Sequence, residues 1–156
     1  MNAPQPEPDG RRSILELNRL ISETRGFFHD LEEVSRTILA RHGLSPQERR
    51  LLMALRKHRR CTVPQLARKR QVSRQFVQVT MNALFKRGLI IFRDNPDHKR
   101  SRLLELTPVG ENLILAVMGR EGEALQRVAS GLAPDEVRSA VEVLGQARKS
   151  LSIASE

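Results

Sequence analysis

Three helix-start signals follow one another closely in the middle of this 156-residue chain. Ser45 and Thr62 are each followed by a proline within two residues and, three residues on, by Glu48 or Gln65. This is the pattern of a capping box, in which the N-cap residue and the third helical residue satisfy each other's backbone N–H groups. Ser73 has the side chain of a third N-cap. The expected short helices cover residues 46–57, 63–70 and 73–87.

The sequence around the third helix predicts a turn on one side and a hairpin on the other. Only residues 71–72 separate the second helix from the third, which is typical of a helix-turn-helix. Gly88 can end the third helix, and two β-rich segments then flank the turn residues 94–97. A hairpin directly after a helix-turn-helix is the wing of a winged-helix domain. The expected strands cover residues 89–93 and 102–106, with Cys61 in a short third strand against them.

Long amphipathic segments lie on either side of this region. Residues 13–40 contain no proline and repeat apolar side chains every three or four positions, which predicts one long helix with an apolar seam. The seam is too long for the small domain to cover, so we expect packing across a dimer; packing within one chain is the alternative. Pro108 and Pro134 begin two further amphipathic helices. The expected dimerisation residues are Leu17, Ile21, Val141, Leu144 and Leu151.

The expected fold is mainly α with a small antiparallel β-hairpin wing (α+β): a winged helix-turn-helix flanked by N- and C-terminal dimerisation helices. Residues 1–12 contain three prolines and no apolar pattern, and we expect them to form a disordered tail. The N-terminal dimerisation helix is expected over residues 13–42. The winged helix-turn-helix should occupy residues 43–107, and the C-terminal helices residues 108–156.

Positive charge is concentrated in the central region. The formal net charge is +9, but residues 41–102 hold 17 Lys and Arg against three acids, so the flanking segments are net negative. Such a concentration of fixed positive charge suits a polyphosphate partner, because each neutralised phosphate releases condensed counterions. The charge alone leaves open a solvated basic face or attraction to anionic lipid.

The rest of the composition argues against several classes of function. A single cysteine excludes a disulfide framework, and the four histidines have no partner at metal-ligand spacing, so we expect no metal or other cofactor. No phosphate loop or nucleophile–base set is present, and no enzymatic activity is expected. The chain shows neither a long apolar run nor a secretory signal, which favours a cytoplasmic protein without membrane contact. Cys61 is expected to be a buried small side chain rather than a redox sensor.

Two segments resemble a known family. The helix-turn-helix of MarR-type winged-helix regulators is similar to TVPQLARKRQVSRQFVQVTMNALFKRGLI, and their wing and following helix are similar to RDNPDHKRSRLLELTPVGENL. The resemblance implies a homodimer that binds a palindromic operator in double-stranded DNA and is often released by a small ligand; we expect a repressor. The chain departs from the family's wing pattern at His98, which stands where an acid usually precedes two basic residues.

The third short helix carries the expected base contacts. Arg can bind guanine O6 and N7, and Gln or Asn can bind adenine N6 and N7. Because residues near the start of a recognition helix reach base edges first, we assign Arg74, Gln75 and Gln78 to bases and Asn82 to the nearby backbone. Phe76 either meets a thymine methyl group or packs against the preceding helix, and we favour packing.

The hairpin carries the remaining DNA contacts. Arg100 matches the family position that enters the minor groove, where the negative potential attracts Arg. Lys99 and Arg102 are expected to contact phosphate, with a solvated strand face as the alternative for Arg102. A protein that binds DNA or RNA without sequence preference or effector control is the alternative function.

The resemblance also implies an effector pocket between the helical arms and the winged helix. The possible lining residues are Arg25, Phe28, His29 and Met53. The expected effector is a small anionic or aromatic molecule, and an anionic one would need a cation such as Arg25. Phe28 is also needed in the apolar seam, which is the role we favour for it.

Overall fold

The structure, a computed structural model, describes residues 8–98 and 100–153. Residues 1–7 of the expected tail and Lys99 of the expected wing lie outside the described residues. The elements in chain order are α1 (Pro8–Arg41), α2 (Pro46–His58), β1 (Cys61–Thr62), α3 (Val63–Arg70), α4 (Arg74–Lys86), β2 (Ile90–Arg93), β3 (Leu103–Leu106), α5 (Pro108–Ala129) and α6 (Pro134–Ile153).

The three strands form one small antiparallel sheet in the order β1-β3-β2. Leu104 at the centre of the sheet pairs with Phe92 on one side and with Cys61 on the other. This arrangement confirms the mainly α fold with an antiparallel hairpin, and it confirms the short third strand at Cys61. The Cys61 side chain is buried, and that burial raises the pKa of its thiol.

The cap residues set the starts of the short helices as the sequence predicts. The backbone N–H of Ser45 donates to Glu48 Oε2 at 2.7 Å, and the Glu48 N–H donates to Ser45 Oγ at 3.2 Å. Thr62 and Gln65 exchange the same two bonds at 2.8 and 3.4 Å. Ser73 Oγ accepts from the N–H of the third helical residue of α4 at 3.1 Å. Each cap satisfies backbone donors that a helix N-terminus would otherwise leave unpaired.

A left-handed residue makes the turn between α3 and α4. Gln71 has φ of 54° and ψ of 43°, and its N–H donates to the carbonyl groups of Ala67 and Arg68. The next residue, Val72, also donates to the Ala67 carbonyl at 3.1 Å. These bonds close the C-terminus of α3 within one turn, so α4 starts almost at once in a new direction.

The chain divides into two compact units at Val117, inside α5. The first unit has a core to which α1, α2, α3, α4, the sheet and the start of α5 all contribute. Its largest fully buried side chains are Leu39, Leu52, Leu55, Leu66, Val77, Met81, Leu84, Ile90, Leu104, Ile114 and Val117. In the second unit, none of the described residues is buried. None of the described helices combines the length and apolar character that crossing a bilayer requires.

The first helix begins earlier than the sequence suggests. α1 starts at Pro8, so the expected disordered tail is wrong for residues 8–12, which are helical. Proline at the first helical position lacks an N–H that would be unpaired there and has a helical φ already set. The prolines were interpreted as a sign of disorder, whereas Pro8 starts a helix.

A close backbone contact fixes the start of α5 against the sheet. Thr107 Oγ1 donates to the Gly88 carbonyl at 2.6 Å and accepts from the Gly110 N–H at 3.0 Å. The Thr107 N–H donates to the Leu89 carbonyl at 3.1 Å. A Cβ atom at Gly110 would overlap the Leu89 carbonyl oxygen and lie 2.9 Å from its carbon, so only glycine fits this approach.

Candidate nucleic-acid interface

The recognition-helix candidate, α4, has one buried face and one exposed face. Val77, Met81 and Leu84 are buried, as their spacing predicts. Thr80, whose spacing places it on the same side of the helix, is half-buried, and its hydroxyl donates to the Phe76 carbonyl at 2.8 Å. The exposed side chains on the opposite face are those of Arg74, Gln75, Gln78, Val79 and Asn82.

A cleft of about 540 Å³ lies between this exposed face and the hairpin. Every predicted DNA-contact residue that the structure describes lines it. The lining residues are Val63, Pro64, Arg74, Gln75, Gln78, Asn82, Phe92, Arg100, Ser101 and Arg102. The structure thus brings together residues of α4 between positions 74 and 82 and residues 100–102 of the hairpin, which residues 83–99 separate in the sequence.

Charge in and around the cleft is unevenly distributed. Arg74, Arg100 and Arg102 line it, and none of its described lining residues is acidic. Glu105 on β3 faces cations outside the cleft lining: its Oε2 lies 3.3 Å from Arg60 Nε and 3.6 Å from Arg93 Nε, in ion-pair rather than hydrogen-bond geometry. The lining residues therefore carry an uncompensated positive charge, which is what a phosphate-rich ligand requires.

Two amide side chains on α4 are bonded to each other. Gln78 Nε2 donates to Asn82 Oδ1 at 3.0 Å, one helical turn along. Gln78 keeps its carbonyl oxygen and one N–H, and Asn82 keeps its amino group, so both retain donors or acceptors for a base edge. The bond restricts the rotamers of both side chains and holds them side by side in the cleft.

Arg102 has a partner that the sequence analysis missed. Its Nη2 donates to the Phe92 carbonyl at 3.0 Å, and its guanidinium carbon lies 5.4 Å from the centroid of the Phe92 ring. Since Phe92 pairs with Leu104, Arg102 is its diagonal neighbour across the hairpin, within reach of a long side chain. The register of the two strands, had it been assigned from the sequence, would have indicated this contact. Phe92 itself was not among the predicted site residues.

The other predicted site residues lie on helix surfaces. Leu17 and Ile21 on α1 are 44% and 39% exposed, and Val141 and Leu151 on α6 are exposed as well, whereas Leu144 is half-buried. Phe76, for which we favoured packing, is 38% exposed. The dimer interface remains a prediction.

The predicted effector-pocket residues are not gathered in a described cleft. Arg25, Phe28 and His29 are exposed on α1, and Met53 is half-buried against the core. A cleft of about 250 Å³ between α1 and α2 has a different lining: Glu32, Ser35, Arg36, Leu39, Pro46, Arg49 and Arg50. The effector pocket stays a prediction.

Within residues 8–98 and 100–153, no group of three or more His, Cys, Asp or Glu side chains could hold a metal ion.

A helix-turn-helix followed by an antiparallel hairpin, with a cationic cleft between them, defines a winged-helix protein. The model of the MarR family matches residues 42–101. The chain is 35% identical to Mb2034c, an uncharacterised protein of Mycobacterium bovis, over 119 residues. The aligned region covers 76% of this chain and 82% of that protein. The chain belongs to the MarR family of winged-helix transcription regulators.

Solved structures agree with this assignment. The crystal structure of the MarR family transcription regulator SP03579 superposes with a TM-score of 0.81 at 27% identity, covering 94% of this chain and 97% of that chain. A Staphylococcus aureus MepR mutant bound to an oligodeoxyribonucleotide superposes with a TM-score of 0.67 at 20% identity, covering 83% of this chain and 96% of that chain. At 20% identity, the similarity to the MepR mutant shows a shared fold alone.

Proposed function

We propose that this protein is a cytoplasmic, sequence-specific regulator of transcription that acts as a repressor, binding a palindromic operator in double-stranded DNA as a homodimer. The observation that carries the proposal is a cationic cleft lined by both the exposed face of α4 and the hairpin. A likeness of fold to a DNA-bound MepR mutant supports the same mode of binding.

The cleft suits two neighbouring grooves of a duplex. We assign Arg74, Gln75 and Gln78 to base edges in the major groove, where guanidinium and amide groups can discriminate between base pairs. Arg100, at the other side of the cleft, is assigned to the adjacent minor groove. Lys99 supplies a phosphate contact, and the remaining central cations add long-range attraction.

A homodimer accounts for apolar side chains that the single chain leaves exposed. Leu17 and Ile21 on α1, and Val141 and Leu151 on α6, repeat at helical spacing and face solvent in one chain. Pairing these helices with their copies would bury them and hold two α4 helices at a fixed separation. Two recognition helices then reach successive major grooves on one face of the duplex, about 34–36 Å apart.

The proposal also includes release of the protein from DNA by a small ligand. A ligand changes DNA affinity only by binding one separation of the two recognition helices better than another. An anionic or aromatic molecule near Arg25 and Phe28 on α1 would act in this way. The probe is benzoate: it should weaken operator binding by the wild type, and Arg25→Ala should remove that effect while leaving affinity without benzoate unchanged. If operator affinity does not respond to benzoate, or if Arg25→Ala responds equally, the assignment of this ligand site is wrong.

Selection of bound duplexes from a random pool tests the DNA-binding proposal. We expect enriched sites with two inverted half-sites about one helical turn apart, and at least about 1000-fold tighter binding than to random duplex at physiological salt. Equal binding to selected and random duplexes would contradict sequence-specific regulation and favour a non-specific coating protein. A preference for RNA over the selected duplex would replace the proposal with an RNA-binding function.

A further inference from the structure

Two contacts within the hairpin and one ring contact with α4 connect Arg102 to the recognition helix. Arg102 donates to the Phe92 carbonyl at 3.0 Å and places its guanidinium over the Phe92 ring, 5.4 Å from the centroid. The Phe92 ring in turn meets the ring of Phe85 in α4, edge to face, with centroids 5.4 Å apart and an angle of 62°. Hairpin and α4 are therefore in contact through side chains of defined orientation.

These contacts use the features that distinguish arginine from lysine. A guanidinium can stack its planar face on a ring while donating from its edge, whereas an ammonium is a compact and strongly hydrated point charge. A phosphate contact needs charge near the backbone and is served by either residue. Arg102 also lies two residues from Arg100, and both line the same cleft with Ser101 between them.

We propose that Arg102 is a positioning residue: it holds the hairpin on α4 through Phe92 and thereby sets where Arg100 stands relative to the base-reading side chains. This replaces the phosphate contact expected for Arg102, and it rests on the proposed DNA-binding function. In this role Arg102 acts on DNA affinity through Arg100 rather than through its own charge.

Arg102→Lys keeps the charge and removes the guanidinium, so it separates the two roles. We expect it to weaken binding to the selected operator duplex by about fivefold or more, because a compact, strongly hydrated ammonium weakens the cation–π contact and lacks the fixed donor geometry of a guanidinium. Phe92→Leu should give a similar loss, and the double variant no further loss, since each substitution breaks the same contact. The matched control is Arg93→Lys, an exposed arginine on the same hairpin outside the cleft lining, which should bind as the wild type does.

A second cycle tests whether Arg102 acts through Arg100. Arg100→Ala should cost markedly less in the Arg102→Lys background than in the wild type, because a displaced Arg100 has already lost its groove contact. This cycle does not depend on Phe92→Leu, which could also perturb the hairpin; melting temperatures of all variants report that effect.

Wild-type affinity of Arg102→Lys, or additive effects with Arg100→Ala, would overturn the positioning role while leaving the function intact. Failure of the proposed DNA-binding function would give a different result from failure of the positioning role. If Arg100→Ala and Arg74→Ala leave operator affinity unchanged, the DNA-binding assignment of the cleft itself fails.

Discussion

Few side chains in the cleft can distinguish one base pair from another. Two of these side chains, Gln78 and Asn82, are joined by a hydrogen bond. A substitution at either position therefore also changes the orientation of the other side chain. Arg74 stands at the first position of α4, and the N-terminal residues of a recognition helix are the ones that contact base edges. We therefore expect specificity to rest on the guanidinium of Arg74 and the amides of Gln75 and Gln78, with Asn82 bonded to Gln78.

Arg74→Ala should cost operator binding more than it costs binding to random duplex. We expect a loss of about 1–3 kcal/mol on the selected duplex, the range of one good bidentate base contact. Competition titration at fixed salt measures both affinities. Arg70→Ala is the matched control, because Arg70 is exposed in the last turn of α3 and does not line the cleft. An equal loss on both duplexes would instead make Arg74 a phosphate contact.

His58 gives a pH dependence to folding stability. Partial burial, and secondarily the charges of Lys69 and Lys57, lower the pKa of His58 below its ordinary value. Its Nδ1 lies 3.1 Å from Lys69 Nζ, so the neutral ring can accept from the ammonium. The unfolded chain binds this proton more readily than the folded one, so the free energy of unfolding falls as pH drops from above 6.5 towards the lower folded pKa.

Denaturant titrations between pH 7.5 and 5.5 check this dependence. His58→Gln should lose less stability over that range than the wild type, and the difference between the two isolates the contribution of this one group. His29→Gln, at an exposed position on α1, should follow the wild type. Parallel curves for the wild type and His58→Gln would refute the assignment.

Residue-level contacts could be predicted only where they depend on local sequence. The faces of α4 follow from helical spacing, so the sequence places Arg74, Gln78 and Asn82 on the exposed face, which lines the cleft together with Arg100. The partner of Arg102 depends on the register of β2 against β3, which no adjacent residue encodes. Phe92 was therefore missed, although it determines the orientation of an arginine that was found.

At the scale of elements, local signals defined the middle of the chain well and its first helix less well. The capping boxes at Ser45 and Thr62 need only four consecutive residues, and both form as predicted. The start of α1 was missed because Pro8 can either begin a helix or interrupt one. The contact between Gly110 and Leu89 joins segments distant in sequence, and only the three-dimensional structure shows why glycine stands there.

Gly110→Ala should destabilise the protein strongly. The added methyl group would overlap the Leu89 carbonyl oxygen, so the start of α5 must move and strain the bonds around Thr107; we expect about 2 kcal/mol or more. Thermal unfolding at fixed protein concentration measures the change. Gly119→Ala in the same helix is the control, because no atom lies within 4 Å of its Cβ and alanine favours helix by up to about 1 kcal/mol. Equal stability of the two variants would show that α5 can shift without cost.

At the scale of the whole molecule, charge and apolar surface are separated along the chain. The cations concentrate in residues 41–102, and exposed apolar side chains are frequent on α1 and α6. In the proposed dimer, the central cations face DNA while the terminal helices face a second copy. Affinity and oligomeric state should then respond to substitutions in different parts of the sequence.

Leu17→Glu combined with Ile21→Glu should weaken the dimer by about 100-fold or more, since burying carboxylates without partners costs several kcal/mol. Sedimentation velocity over a concentration series gives the dissociation constant. Ser22→Glu adds the same type of charge at an exposed position on a different side of α1 from Leu17 and Ile21, and should leave the dimer intact. A double variant that still sediments as the wild-type dimer would refute the assigned interface.

Thr107 joins β3 to α5 directly, with no loop between them, and is also bonded to Gly88 and Leu89, where the chain passes from α4 to β2. The end of the recognition helix, the start of the hairpin and the first turn of α5 are consequently all held by hydrogen bonds to this one residue. A displacement of the first turn of α5 would therefore strain the same hydrogen bonds that hold the junction between the recognition helix and the hairpin. These three elements are coupled locally through a single threonine.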